Sequence, residues 1–295
     1  MIPDAMPFPQ QLAPFVRRAA VGSGELHYYD AGAGAQPPLV LVHGLGDEAD
    51  SWRHVIPALA EGRRVIALDL PGFGRSDALP GGASITALAR VVAGLLGVLG
   101  IDRATLVGSS LGAAVVQRLA LARPALVERL VLVGGALPAQ RSSPRGPQLL
   151  FLLPGLGELV YTSLRRSQDQ AFATLRPYYY DFDALPPEDH AFLRERVWAR
   201  VWSDKQRGAF LSALRWLALD VATRANHYRD LLGRVAVPTT LIWGDHDAIV
   251  PLAAGQQLAA ALPSATLHTI PHCGHLPQQE RAEAFVELVI RNCHS

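Results

Sequence analysis

The sequence predicts an α/β fold: a mostly parallel, eight-stranded sheet with helices on both faces and one inserted group of helices. Three observations lead to this prediction. Short apolar runs alternate along the chain with segments of helical periodicity. Several of these runs are apolar throughout, as expected of strands that are buried on both faces of a parallel sheet. One long stretch without strand-like runs separates the sixth predicted strand from the seventh.

The predicted strands follow one another along the chain. An opening hairpin leads into strands that are separated by helical patterns, such as Ser84–Leu99 with Ser84 as its N-cap. Ligands of such sheets bind beyond the carboxyl ends of the strands. The strands are predicted at Phe15–Val21, Glu25–Asp30, Leu39–His43, Arg64–Asp69, Ala104–Gly108, Leu130–Val133, Thr239–Trp243 and Thr266–Ile270.

The alternation of strands and helices stops between about Pro138 and Arg234. Because the sheet pattern resumes at Val237, we interpret this stretch as a helical cap inserted into one core rather than as a separate domain. The segment Arg141–Pro147 is rich in Ser, Pro and Arg and is the predicted linker into the cap. The predicted organisation is therefore core 1–137, cap 138–234 and core 235–295.

Composition and charge exclude several classes of protein. Of the 295 residues, 49% are hydrophobic and 18% are charged, as in a compact globular protein. The net charge of +1 gives no basic footprint for nucleic acid and no polybasic membrane patch. The segment Met1–Pro9 lacks the features of a signal peptide, and no run of 18 apolar residues predicts a membrane span. We therefore expect a soluble, cytoplasmic protein without stable membrane insertion.

The two cysteines, Cys273 and Cys293, are expected to be free thiols. A helix predicted between them would separate them by roughly 18 Å, at 1.5 Å per residue. A disulfide requires Cα atoms within about 7 Å of each other. His272, Cys273 and His275 lie close together in the sequence, but no further ligands with zinc-like spacing accompany them, so no metal site is predicted.

A candidate nucleophile lies in the run Gly108-Ser109-Ser110-Leu111-Gly112. An apolar strand precedes this run and a helix rich in small residues follows it, which is the context that a G-x-S-x-G nucleophile elbow requires. The sharp turn would lift the hydroxyl of Ser110 off the sheet, beside the positive end of the following helix. We therefore predict that Ser110 is a catalytic nucleophile.

A serine hydroxyl needs a base within hydrogen-bonding distance, and the base needs an orienting acid. His275 follows the last predicted strand in a loop shaped by Gly and Pro, and His272 is a rival in the same loop. Either Asp245 or Asp247, after the seventh strand, could be the acid. The loop after the sixth strand, Gly134–Ala136, contains no carboxylate, which favours an acid in the loop after the seventh strand.

Acyl transfer also needs donors for a tetrahedral oxyanion. The backbone N–H of Leu111, the residue after the nucleophile, is the first predicted donor. The glycine-containing loop after the third strand supplies the second, for which we predict the N–H of Leu45. His43 precedes this loop and is expected to hold the loop in place rather than to act in catalysis.

Together these motifs resemble the α/β-hydrolase fold superfamily across nearly the whole chain. The resemblance implies a Ser-His-Asp triad of Ser110, His275 and Asp247, because in this family the acid is the last residue of Gly-x-x-Asp. It also implies that Asp69–Asp77 shapes a loop without a catalytic role. The resemblance is carried by His43-Gly44-x-Gly46, Asp69–Asp77, Gly108-x-Ser110-x-Gly112, Gly244-x-x-Asp247 and Gly274-His275-x-Pro277-x-x-Glu280.

The cap segment Gln148–Tyr161 is unusually apolar, either as ordinary cap core or as a wall around an acyl chain. Ordinary cap core is the slightly favoured interpretation of this segment, and the predicted function is a serine esterase, similar to lipases, for small-molecule carboxylic esters with apolar acyl groups. Phe151, Leu152 and Leu276 are the predicted substrate contacts, and no cofactor or metal is expected.

The alternative enzyme is a carbon–carbon bond hydrolase of ring-fission products, which needs a cationic pocket for a carboxylated dienol. A non-catalytic receptor is less favoured, because the triad and the oxyanion-loop glycines are all present. Six cap arginines could supply the cationic pocket, although a solvated helix face is the simpler interpretation: Arg165, Arg166, Arg176, Arg194, Arg196 and Arg200.

Overall fold

The computed structural model of the protein describes residues 7–78, 80–139, 148–262 and 264–293. The side chain of Gln148 is outside this description. The predicted linker Arg141–Pro147 and most of the N-terminal segment Met1–Pro9 also lie outside the described residues.

The described residues form one eight-stranded sheet with the order β1-β2-β4-β3-β5-β6-β7-β8. The pairs β1–β2 and β2–β4 are antiparallel, and every other pair is parallel. The predicted mostly parallel sheet is therefore confirmed. The strands are β1 (Val16–Val21), β2 (Gly24–Ala31), β3 (Leu39–Val42), β4 (Val65–Leu68), β5 (Ala104–Ser109), β6 (Val127–Val133), β7 (Thr239–Gly244) and β8 (Ala265–Ile270).

Helices cover both faces of the sheet and fill the described chain between β6 and β7. Ser84 caps the second helix as predicted, because its Oγ accepts a hydrogen bond from the N–H of Ala87. The α-helices are α1 (Ile56–Leu59), α2 (Ile85–Val98), α3 (Leu111–Ala122), α4 (Gln148–Leu152), α5 (Leu156–Ser163), α6 (Gln168–Ala173), α7 (Pro187–Trp202), α8 (Asp204–Thr223), α9 (Ala225–Leu232), α10 (Leu252–Ala261), α11 (Pro277–Glu280) and α12 (Ala282–Cys293). Short 3₁₀-helices occur at Gln10–Phe15, Ala49–Trp52, Pro124–Leu126, Leu164–Arg166, Arg176–Tyr178 and Phe182–Ala184.

Two apolar clusters fill the two sides of the sheet. One joins the strands to α2 and α3, and the other joins them to α1 and α12. A third cluster, around Phe172, Phe182 and Val197, lies within the helices between β6 and β7. Its separate core agrees with an inserted cap, although the predicted cap boundaries at 138 and 234 stay a prediction.

The topology gathers several loops at one edge of the sheet. Because β3, β5, β6, β7 and β8 are parallel neighbours, the loops that follow them emerge side by side. Cys273 and Cys293 are both free thiols, as predicted. Over the described part of the chain, no helix has the length and apolar character needed to cross a membrane.

Candidate active site

The chain turns sharply at Ser110, between β5 and α3. Ser110 has φ 53° and ψ −114°, a left-handed conformation that a non-glycine residue rarely adopts. The turn is held because its N–H donates to the carbonyl oxygen of Val133 at 2.8 Å. A Cβ on Gly112 would lie 2.2 Å from the carbonyl oxygen of Val42, so the helix can approach β3 this closely only with glycine there. The geometry is that of the predicted nucleophile elbow.

His275 and Asp247 form a buried pair. Nδ1 of His275 lies 2.7 Å from Oδ2 of Asp247, and the two side chains are 1% and 0% exposed. The other oxygen, Oδ1 of Asp247, accepts the N–H groups of Ile249 and Val250 at 2.9 and 2.8 Å. The aspartate therefore favours a histidine with its proton on Nδ1. This leaves Nε2 as an acceptor, and Nε2 has no hydrogen-bond partner among the described residues.

The two rival residues point elsewhere. Oδ1 of Asp245 lies 2.7 Å from Nδ1 of His246 and accepts the N–H of Cys273 at 3.2 Å. Burial raises the pKa of Asp245, but these hydrogen bonds outweigh it and the net pKa is lowered. The ring of His272 packs on those of Tyr180 and His246, with centroids 5.5 and 6.3 Å away. Within the described residues, no group of three or more His, Cys, Asp or Glu side chains is placed to hold a metal ion.

Gly134, at the end of β6, is a site residue whose role the sequence did not reveal. Its φ is +55°, and an added Cβ would lie 3.1 Å from His275 Nδ1 and 3.2 Å from Asp247 Oδ2. The pair can therefore lie against the end of β6 only because position 134 has no side chain. The sequence marked this glycine merely as a place without a carboxylate.

The loop after β3 lies against the elbow. A Cβ on Gly44 would be 3.1 Å from the Cβ of Ser110. No backbone hydrogen bond of the described residues from the N–H groups of Leu45 or Leu111 is seen outside helices and strands, and their role as oxyanion donors stays a prediction. His43 holds this loop, as predicted: its Nε2 accepts the N–H of Leu70 at 2.9 Å, and its Nδ1 lies 2.8 Å from the carbonyl oxygen of Gly44. Burial lowers the pKa of His43, in keeping with this neutral tautomer.

The cap contacts the loop of His275 directly. The N–H of His275 donates to the carbonyl oxygen of Tyr178 at 2.7 Å, and the two rings lie 5.8 Å apart. The carboxylate of Glu280 accepts the N–H groups of Gly274, Tyr180 and Asp181 at 2.6, 2.8 and 3.0 Å. The sequence did not indicate the bonds to Tyr178, Tyr180 and Asp181, because about 100 residues separate these partners from the loop and from Glu280.

The predicted substrate contacts occupy different surroundings. Phe151 is half-buried, with its ring 6.0 Å from that of Phe210. Phe210 lies over the loop after β3, because a Cβ on Gly46 would be 3.1 Å from its ring. Leu276 packs against the third apolar cluster, and Leu152 is half-buried. The substrate roles of Phe151, Leu152 and Leu276 stay predictions.

Three of the six cap arginines are largely buried, so a solvated helix face is the wrong interpretation for them. The Arg165 side chain is 18% exposed, and its Nη2 lies 2.5 Å from Oδ1 of Asp204. The Arg196 side chain is 5% exposed, and its Nη2 lies 2.5 Å from Oδ2 of Asp50.

The Arg200 side chain is 16% exposed and lies 3.7 Å from both Asp47 and Glu48. The N–H at Nε of Arg200 has no partner among the described residues. Arg200 is therefore a buried cation with hydrogen-bonding capacity left over.

Glu48 lies beside these arginines and is 2% exposed. Burial, followed by the charge of Asp50, raises the pKa of Glu48 to about 7, although Arg196 and Arg200 oppose the shift. The carboxyl therefore titrates near neutral pH beside the loop of Leu45.

An eight-stranded α/β sheet with a serine elbow and a buried acid–histidine pair defines a class of hydrolases. A model of the alpha/beta hydrolase fold family matches residues 37–282. The chain belongs to this family and is a hydrolase, as the sequence motifs predicted.

Similarity to individual proteins is more specific. The chain is 34% identical to a 2-hydroxy-6-oxononadienedioate/2-hydroxy-6-oxononatrienedioate hydrolase of Paraburkholderia xenovorans, over 94% of this chain and 93% of the relative. Among solved structures, a meta-cleavage product hydrolase from Pseudomonas fluorescens matches with a TM-score of 0.76 and 26% identity, over 94% of this chain and 96% of the other. A thermophilic esterase from Thermogutta terrifontis matches with a TM-score of 0.77 and 26% identity, over 95% and 100%.

These findings correct the predicted function. The prediction of a carboxylic ester hydrolase with an ester substrate is wrong, because the compound in the relative's name contains no ester bond. Overall shape did not distinguish the two activities, since both solved structures match almost equally. The apolar character of Gln148–Tyr161 suggested an acyl-chain wall, but Leu149, Leu150 and Leu153 in it are exposed.

Proposed function

We propose that this protein hydrolyses a carbon–carbon bond in 2-hydroxy-6-oxo-dienoates, the products of aromatic ring fission. The 34% identity to a relative named for such a substrate, over nearly the full length of both chains, carries the proposal. The elbow serine and the buried Asp247–His275 pair support it, because attack on the C6 ketone needs a nucleophile, a base and an acid that orients the base.

In the proposed reaction, Ser110 Oγ attacks C6 of the substrate and His275 Nε2 accepts the hydroxyl proton. Hydrogen bonds of this kind often tighten only when substrate binds. The oxygen of C6 becomes an oxyanion and accepts the N–H groups of Leu45 and Leu111. Asp247 stabilises the imidazolium that forms, through its 2.7 Å contact with Nδ1.

The leaving group must accept the electron pair of the C5–C6 bond. After the dienol has tautomerised to the 2,6-diketone, which carries an added proton at C5, this pair is delocalised onto the C2 oxygen. His275 returns its proton to that enolate, which gives 2-hydroxypenta-2,4-dienoate and leaves the acyl group on Ser110. A water molecule, deprotonated by His275, then hydrolyses the acyl-enzyme, so one water is consumed and one carboxylic acid is released.

Arg200 is the proposed partner of the C1 carboxylate. Its guanidinium is largely buried, and its 3.7 Å contacts with Asp47 and Glu48 are too long to be hydrogen bonds. Arginine can bind a carboxylate through two parallel N–H bonds, which would also orient the substrate. An Arg200→Gln variant should therefore raise the KM of dienoates, whereas Arg194→Gln, on an exposed side chain, should not.

The test is to follow the absorbance of a 2-hydroxy-6-oxo-dienoate, which is lost on cleavage, and to identify both products by mass spectrometry. Ser110→Ala should lower turnover by at least about 10³-fold. Ser109→Ala is the matched control, because the Ser109 hydroxyl is buried without a hydrogen-bond partner among the described residues. Rapid hydrolysis of p-nitrophenyl esters together with inert dienoates would overturn the proposal.

A further inference from the structure

Tyr178 is a cap residue whose side chain and backbone both contact the proposed base. The centroid of its ring lies 5.8 Å from that of His275, with the two ring planes inclined at 57°. Its carbonyl oxygen accepts the N–H of His275 at 2.7 Å. Because the backbone and the ring are both held, the phenol has a fixed place beside the imidazole.

The hydroxyl of Tyr178 is free to bind a ligand. It has no hydrogen-bond partner in the described part of the chain, although the side chain is half-buried. The next residue, Tyr179, is buried and donates its hydroxyl to Oε1 of Gln279 at 2.9 Å. Tyrosine hydroxyls in such surroundings usually have a partner. An unpaired phenol next to His275 therefore indicates a donor that is reserved for the substrate.

Electrostatics show which way the hydroxyl of Tyr178 lies. Burial raises the pKa of the phenol, while the charge of Arg200 lowers it and the charge of Asp47 raises it, both by less than burial does. The phenol therefore keeps its proton at neutral pH and can donate a hydrogen bond. The side chain spans the space between His275, against which its ring packs, and Arg200, whose charge acts on its hydroxyl.

The proposed substrate occupies the same space. Its C6 ketone carbon must lie within reach of Ser110 and of His275 Nε2, and its C1 carboxylate is assigned to Arg200. The oxygen on C2, next to C1, is therefore close to the hydroxyl of Tyr178. This oxygen receives the electron pair when the C5–C6 bond breaks. The N–H groups assigned to the C6 oxyanion cannot serve it, because they lie at the other end of the substrate.

We propose that the Tyr178 hydroxyl donates a hydrogen bond to the C2 oxygen and stabilises the enolate that leaves when the C5–C6 bond breaks. The inference rests on the proposed carbon–carbon bond hydrolysis. Tyr178 keeps its own proton throughout, and His275 supplies the proton that the enolate takes up. A donor aimed at developing charge binds the transition state more tightly than the ground state, so it raises kcat.

Tyr161 is a second cap tyrosine in this region and is the alternative donor. It is 6% exposed, and its ring packs against Phe210 at 5.5 Å, whereas the ring of Tyr178 packs against His275. Burial raises the pKa of the Tyr161 phenol, and the charges of three arginines oppose the shift: Arg200, Arg165 and Arg207. We assign the C2 oxygen to Tyr178 because only its ring contacts the proposed base.

The test compares Tyr178→Phe with the wild type on 2-hydroxy-6-oxo-6-phenylhexa-2,4-dienoate. Phenylalanine keeps the ring and the backbone carbonyl that hold His275. We expect kcat to fall by about 10²-fold or more, the loss seen when one oxyanion donor is removed, with a smaller change in KM. Tyr180→Phe is the matched control, because that side chain is 43% exposed, and its kcat should match the wild type. An unchanged kcat in Tyr178→Phe, an equal loss in Tyr180→Phe, or a larger loss in Tyr161→Phe would overturn the inference.

Labelling by a fluorophosphonate separates this role from a structural one. The reagent reacts with Ser110 through the same base but releases fluoride, so no enolate forms. The labelling rate of Tyr178→Phe should therefore equal that of the wild type. A labelling rate that falls together with kcat would show that His275 is displaced and would overturn the inference. If the wild type is labelled but does not cleave the dienoate, the proposed function fails, and the inference fails with it.

Discussion

The backbone N–H of His275 donates a 2.7 Å hydrogen bond to the carbonyl oxygen of Tyr178, so a residue of the cap holds the loop of the proposed base. Glu280 completes this attachment, since its two carboxylate oxygens accept N–H groups from Gly274 on the loop and from Tyr180 and Asp181 on the cap. The position of His275 therefore depends on the cap as well as on β8.

Glu280→Gln should lower kcat by about tenfold or more, because small displacements of a catalytic group are costly. The amide nitrogen of Gln would face a backbone N–H donor in place of an accepting oxygen. Steady-state kinetics on the dienoate should give a much smaller change in KM. Glu287→Gln on α12 is the control, because that side chain is 66% exposed, and its kinetics should match the wild type. A similar loss in both variants would contradict the role given to Glu280.

Gly134→Ala should impair turnover by about 10²-fold, the effect of a misplacement of roughly 1 Å. The added methyl group would press on His275 and Asp247 at 3.1 and 3.2 Å, and the backbone at φ +55° disfavours alanine. Gly97→Ala, in α2, meets nothing within 4 Å and should instead raise stability by about 0.5–1 kcal/mol. Measurements of turnover and of thermal unfolding on both variants test this predicted difference between Gly134 and Gly97. Full activity in Gly134→Ala would contradict it.

Asp247→Asn should lower kcat by about 10⁴-fold, the loss known for the equivalent change in a serine protease. The amide would favour the wrong tautomer of His275, because its NH₂ group would face Nδ1. Asp245→Asn provides the comparison, since Asp245 contacts His246 and Cys273 and does not reach His275. Kinetics at saturating dienoate measure both effects. A larger loss in Asp245→Asn would reassign the acid.

Glu48 should make stability depend on pH. Its pKa is about 7 in the folded protein against the ordinary 4.5, so the folded state binds the proton more tightly than the unfolded state. Stability is therefore lost as the pH rises from about 4.5 to about 7 and is level above that. Glu48→Gln should remove this loss of stability. The difference in Tm between Glu48→Gln and the wild type should therefore increase as the pH rises from about 4.5 to about 7. Glu283→Gln, at an exposed position, is the control and should show no such dependence on pH. If the Tm of Glu48→Gln and of the wild type changed in parallel with pH, the raised pKa of Glu48 would be contradicted.

Asp189 joins the cap to the core, because it accepts hydrogen bonds from Arg53 and His54 at 2.6 and 2.9 Å. Asp189→Asn should cost about 3 kcal/mol of unfolding free energy, since it leaves the buried Arg53 without its counter-charge. Denaturant unfolding measures this. Asp183→Asn, which breaks the exposed pair with Arg176, should change stability little. Equal effects in the two variants would show that burial of the pair is unimportant.

Local patterns in the sequence predicted the framework of the protein. After the opening hairpin, strands from β3 onwards are separated by helices and end at their own turn residues, so their positions depend mainly on neighbours in the chain. The elbow at Ser110 was predicted for the same reason, because the strand, the glycines and the helix are contiguous. The structure also favours Asp247 over Asp245 and His275 over His272 by geometry, since only Asp247 and His275 lie within 2.7 Å of each other.

The cap and its contacts could not be predicted in this way. Tyr178 and His275, or Arg53 and Asp189, are about 100 residues apart or more, and nothing local marks them as partners. Arg196 and Arg200 have the same sequence appearance as the exposed Arg194, and only the packing of α7 on the loop after β3 buries them. The wrong prediction of ester hydrolysis arose here, where substrate choice depends on tertiary contacts.

The bond between His275 and Tyr178 couples the backbone path of the cap to the placement of the His275 loop. A cap transplanted from another hydrolase would keep these bonds only if its backbone placed one carbonyl and two N–H groups at the positions of Tyr178, Tyr180 and Asp181. The bonds to His275 and Glu280 involve neither α4 nor α5, which pack on α8 through the rings of Phe151 and Phe210 and the ion pair of Glu158 with Arg215. Backbone changes in α4 and α5 therefore leave these bonds intact, whereas changes between Arg176 and Asp181 alter the position of the proposed base directly.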